Sequence, residues 1–185
     1  MAQNNEMNDN ALEQQFQITL SLYLLSKDKI DEHFPEAPDI EEKWSEIIAA
    51  FMPDAIREFN EYPTAVFGWM MYIGMAVAKY WDLDWELYSK VENLYIYLRD
   101  RIDFDHLDDY ILEKVLMLDH EATKELQNLV IECAEKINLE IIHMQIEPGT
   151  KEAFHAVVDA LHQFYLFGSA IELKALGYHM TKLGE

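Results

Sequence analysis

A single cysteine, Cys133, stands in a chain of 185 residues, which excludes an intramolecular disulfide and any zinc site built from cysteines. Basic residues are scarce as well: 14 lysines and arginines face 35 aspartates and glutamates, for a formal charge of -21. Nucleic-acid phosphates are bound by clustered Lys and Arg, so nucleic acid is not expected as a major partner. No apolar run reaches membrane length. The most apolar stretch, Ala65 to Ala78, is 14 residues without a charge, where a spanning helix needs ~20. No glycine-rich phosphate loop is present, because Gly68 and Gly74 lie in that stretch without an adjacent Lys-Ser or Lys-Thr. There is also no Gly-x-Ser-x-Gly nucleophile elbow. Met1 to Glu13 is polar and acidic, with no basic region leading into an apolar one, which predicts no signal peptide and a cytoplasmic protein.

What remains is far too apolar for an acidic disordered tail. Half the residues are hydrophobic and 12% are aromatic. The length suits one domain able to bury its own core. The apolar residues recur at steps of three and four nearly throughout. Asn10 and Glu13 read as a capping box ahead of Leu12, Phe16, Leu20 and Leu24, leaving 1–9 as a flexible tail and 10–185 as one domain. Asp39 with Glu42 predicts a second start, and Pro53 the first turn of a short continuation holding Ile56 and Phe59. Further starts are predicted at Asp84, Asp105, Asp119 and Thr150, with a stop at Pro148-Gly149. One helix is expected from Asp84 through Ile102. No fixed repeat period and no strand pattern emerge. Short connections between six to seven helices predict an all-α, up-and-down bundle, with Ala65 to Ala78 as its most buried segment.

The best metal-ligand spacing flanks the Pro148-Gly149 turn. Glu140-Ile-Ile-His143 precedes it and Glu152-Ala-Phe-His155 follows it. Residues i and i+3 share a helix face, so a hairpin could turn both pairs toward one divalent ion, zinc, iron or manganese. The spacing resembles the Glu-x-x-His motif of ferritin-like di-metal carboxylate proteins. It departs from that pattern because the two motifs sit on consecutive helices and no further glutamate pair is placed. Against a metal, Glu152 in a first turn and His143 in a last turn suit the helix dipole without any ion.

A second spacing, Arg101-Ile-Asp-Phe-Asp-His106, is similar to the Arg-x4-His signature of HEPN ribonucleases, which are small all-helical proteins. The resemblance would give Arg99 or Arg101 phosphate contact and His106 proton transfer. Asp100, Asp103, Asp105, Asp108 and Asp109 surround these residues and would repel an RNA backbone.

Three other features are read as structural. His155, Asp159 and His162 form a polar helix flank, and Glu172 is expected at a solvent edge. Trp69, Tyr72, Tyr80, Trp81, Trp85 and Tyr88 could line an acidic aromatic pocket for a cation, but core packing is the ordinary use of such rings. Between Asp28 and Glu61 there are 11 acids and 3 bases. Such a surface attracts basic proteins and repels anionic membrane. The expected function is therefore an acidic interaction domain that binds a basic protein partner or self-associates as a homodimer, with no bound cofactor. A metal-dependent enzyme at 140–155 is the alternative.

Overall fold

No proline or glycine stands between Ala2 and Ser26, since the first proline is Pro35 and the first glycine Gly68. In the computed structural model, which describes residues 2–32 and 37–178 with side chains from Ala11 onward (Pro38 excepted), α1 accordingly spans Ala2–Ser26. The start expected at the Asn10 capping box is thus corrected to Ala2. The remaining helices are α2 (Pro38–Glu42), α3 (Trp44–Phe59), α4 (Pro63–Leu83), α5 (Trp85–Lys90), α6 (Leu94–Arg99), α7 (Leu107–Tyr110), α8 (His120–His143) and α9 (Lys151–Ala175). No strand occurs among the described residues, and none of their helices is long and apolar enough to cross a membrane.

Several boundaries follow the expected chemistry. Asp84, Asp119 and Thr150 each accept a hydrogen bond from the backbone N–H three residues on, which caps α5, α8 and α9. Gly149 and Gly177 adopt φ of 79° and 91°, and each lies just outside a helix end. Replacing Thr150 with alanine should cost about 1 kcal/mol in denaturant titration, because the N–H of Ala153 loses its partner.

Two expected helices are drawn differently. Pro53 lies inside a continuous α3, because its position and that of Ala49, whose carbonyl it leaves unbonded, are both exposed to water. The single helix expected from Asp84 to Ile102 is broken at Val91, which is extended. Asn93 makes the break: its side chain accepts from the Ile96 N–H and donates to the carbonyl of Glu46 on α3.

The five long helices alternate in direction along the chain. Phe59 of α3 meets Phe67 at the start of α4, an antiparallel hairpin. Thr19 and Tyr23 of α1 donate to Glu140 and Glu132 of α8, so these two helices are antiparallel. The central pair is parallel: Phe67 stacks on Phe164, Lys79 pairs with Glu172, and Asp82 accepts from Tyr178 as α4 and α9 climb together. The short helices α5 to α7 return the chain to start α8, which makes this parallel packing possible. The bundle is therefore all-α and up-and-down, as the spacing predicts. Val66 to Ala78 is buried except at Trp69, and its neighbours Phe164, Tyr165 and Phe167 on α9 are fully buried.

Candidate functional site

The four residues at the turn do not assemble into a ligand set. Glu140 lies partly buried on α8 and accepts a hydrogen bond from Thr19 of α1. His143 and Glu152 are exposed, and His155 packs edge-on against Phe154. Among the described residues no three His, Cys, Asp or Glu side chains form a group that could hold a metal ion. The physical reason lies in α1. It packs alongside α8, and its Thr19 engages one carboxylate oxygen of Glu140.

The second spacing is likewise engaged in structure. Arg99 donates to Asp54 at 3.1 Å, and Tyr95 donates to the same carboxylate oxygen at 2.6 Å. Burial alone would raise the Asp54 pKa, but these bonds outweigh it and hold the carboxyl below its ordinary value. Arg101 lies 3.4 Å above the Tyr97 ring and donates to the Tyr97 carbonyl, while His106 sits exposed on the 3-10 turn Phe104–His106.

The aromatics do not form one cage. Trp69 packs on Phe104, Tyr80 on Tyr97, Trp81 on Tyr178 and Trp85 on Tyr88. Cations over tyrosine faces come from the chain itself, Lys43 at Tyr88 and Arg99 at Tyr95 among them. Cys133 is buried, and desolvation pushes its thiol up to about 12, far from a reactive thiolate.

Two polar residues expected at solvent edges are inside. Glu172 is only 7% exposed and pairs with Lys79 at 3.3 Å. His162 on α9 faces α1, α2 and the start of α3. Its Nδ1 lies 2.5 Å from Glu13, its Nε2 lies 3.4 Å from Glu41, and its ring stacks on Trp44. Gln163 donates to Glu13 at 2.9 Å. The bond with His162 is the main reason that the Glu13 carboxyl titrates below its ordinary value, against the burial that would raise it. These contacts tie α1 to α9.

One open feature is not consumed by the fold. A groove of about 390 Å³ lies at the end of the bundle where α8 turns into α9. Met52, Ile56 and Phe59 of α3 form one wall, and Ala153, Phe154 and Val157 of α9 the other. Val66, Ile141 and Leu161 lie beneath, and the connecting loop adds Ile146 and Pro148. Its two rim residues, Ile56 and Phe154, are 53% and 48% exposed. Both sit on helix faces where apolar residues recur at steps of three and four, Met52, Ile56 and Phe59 on α3 and Phe154, Val157 and Leu161 on α9. Periodicity shows which face of a helix is apolar but not whether a neighbour reaches far enough to cover it. Here Ile56 at the end of α3 and Phe154 at the start of α9 stay half exposed beside the turn at Pro148-Gly149.

The polar atoms of the groove are few. Thr150 spends its hydroxyl on the carbonyl of Glu147 and on the α9 cap, which leaves Asn60 as the polar side chain not already engaged in capping. Charges beside the lining residues are mostly negative: Glu58, Glu61, Glu147 and Glu152, against Arg57 and Lys151. Arg57 is itself paired with Asp54 at 3.0 Å. No protein-family model, curated protein or solved structure matches this chain.

Proposed function

We propose that the protein is a non-enzymatic interaction domain whose groove between α3 and α9 receives apolar side chains of another protein. The observation that carries this reading is the half-exposed pair Ile56 and Phe154 at the mouth of an otherwise apolar, solvent-open groove. Exposed clustered apolar surface of this kind is costly to leave in water and marks sites where a partner docks. An enzyme would need convergent acid, base or nucleophilic groups at its pocket, and the titratable side chains with shifted behaviour lie elsewhere, Glu13, Asp54, Asp108 and Glu172 among them.

A side-chain mimic tests the reading directly. N-acetyl-leucine amide, titrated into protein carrying 13C-labelled isoleucine methyls, should shift the resonances of Ile56, Ile141 and Ile146, which line the groove. Core isoleucines such as Ile47, Ile73 and Ile137 should stay in place. Shifts spread evenly over all isoleucines, or none at all, would count against the groove as a docking site.

A further inference from the structure

We infer that the occupant of the groove is a basic amphipathic helix of another protein, with apolar anchors on one face and Lys or Arg on its flanks; this rests on the docking role of the groove. Four observations narrow the occupant to this class.

The first is the lack of free polar groups. A small ligand is oriented by a few placed donors and acceptors, but this groove offers little beyond Asn60. An extended peptide would bring unpaired backbone N–H and C=O groups that the groove cannot satisfy. A helix bonds its own backbone internally and presents only side chains, so it fits an apolar groove without polar partners.

The second is charge. Glu58, Glu61, Glu147 and Glu152 are chain neighbours of lining residues, as are the cations Lys151 and Arg57, the latter paired with Asp54. Apolar anchors bordered by positive charge complement such a mouth, and negative flanks would be repelled. The third observation concerns a second copy of this chain. It would bring another -21 of charge, which opposes groove-to-groove association.

The fourth is reach within the chain. Tyr178 lies just past the C-terminal end of α9, whereas the groove lies at its N-terminal end. The 25 residues of α9 extend about 37 Å, so chain leaving its C-terminal end must travel back about that far to reach the groove. On the other side, α1 packs on the opposite flank of α9, at His162 and Gln163. The described helices therefore leave the groove open.

The experiment uses the full chain and three fluorescein-labelled 18-residue peptides. One has leucines at i, i+3, i+4 and i+7 with lysines elsewhere, one has glutamates in place of the lysines, and the third is the lysine peptide scrambled to destroy the apolar face. Anisotropy titrations should show the amphipathic lysine peptide binding at least about tenfold tighter than either control, and weakening as salt is raised. Ile56→Glu and Phe154→Glu should each weaken it about tenfold or more. Both positions are half exposed, so the variants should keep the wild-type melting curve. These variants also separate docking from nonspecific attraction to an acidic protein. They add negative charge, so simple electrostatic binding would strengthen while groove binding falls. Equal binding of the lysine and glutamate peptides, lost in both variants, would keep the docking groove and overturn the basic partner. Binding that survives the variants, or no binding by any peptide, would overturn the helix proposal altogether.

Discussion

Alanine at Gly74 or Gly168 is expected to lower the stability of the whole domain by about 3 kcal/mol or more, a loss of about 6–12 °C in melting temperature. A Cβ on Gly74 would lie 2.2 Å from the carbonyl oxygen of Tyr165, and one on Gly168 would lie 2.1 Å from that of Met71. Both obstacles are backbone, so no rotamer change relieves them and α4 must move away from α9. That movement would open the Phe67–Phe164 stack and strain the bonds from the Ser169 hydroxyl to the carbonyls of Gly74 and Tyr165, at 3.1 and 3.0 Å. The substitution also gains ~1 kcal/mol of helix propensity, and the clash must exceed that gain for the expectation to hold. Gly68 supplies the control. Its added Cβ would meet only the Cγ1 of Val130 at 3.1 Å, the end of a side chain that can shift by a few tenths of an ångström. Gly68→Ala should therefore stay within about 1 kcal/mol of wild type, because propensity and crowding nearly offset. Chemical denaturation of the three variants checks the pattern. Equal effects at all three positions would refute the reading of α4 and α9 as a backbone-on-backbone crossing.

That crossing shows how far the residues alone could be read. Two glycines in an uncharged helix signal that something approaches closely, and Ser169 after Gly168 signals the same on the last helix. Neither signal says that the two helices are partners, because sequence spacing fixes the face of a helix and not what it faces. The caps at Asp84, Asp119 and Thr150 were legible for a local reason: each is a single side chain bonding a backbone three residues away. The break at Val91 was not legible, since Asn93 earns its role through the carbonyl of Glu46, 47 residues earlier. The same distinction separates the candidate sites. The Glu-x-x-His spacing at the turn is real on each helix, but α1 packs beside α8 and takes Glu140 through Thr19. The groove was invisible for the converse reason. Ile56 and Phe154 carry the periodicity of core residues, and only the arrangement of α3, α8 and α9 leaves them uncovered.

The buried pair between the same central helices gives the second large effect. Lys79 and Glu172 keep 16% and 10% of their side-chain surface exposed, with 3.3 Å between Nζ and Oε1. Desolvation is the main cause that raises the Glu172 pKa above 4.5; Lys79 pulls it back in part, and Asp82 adds to the rise. Lys79→Met should cost about 3 kcal/mol at neutral pH, since it strands a carboxylate that water barely reaches. The cost should depend on pH in a defined direction. A carboxyl whose pKa is raised on folding holds its proton more tightly in the native state. Its stabilising contribution is complete below the unfolded value of 4.5 and is lost as pH climbs through the raised native value. Without Lys79 the native value rises further, so the loss continues to higher pH. The stability gap between Lys79→Met and wild type should then be small near pH 4.5 and widen toward neutrality. Glu172→Gln in the Lys79→Met background should flatten that widening, because the amide carries no charge to strand. Replacing the pair together, Lys79→Met with Glu172→Leu, should come out near wild type or above it, since two apolar side chains of similar volume have no desolvation to offset. Denaturant midpoints measured from pH 4.5 to pH 8 decide among these outcomes. A gap that does not change with pH would mean that Lys79 stabilises α4 against α9 through the packing of its stem and not through its charge.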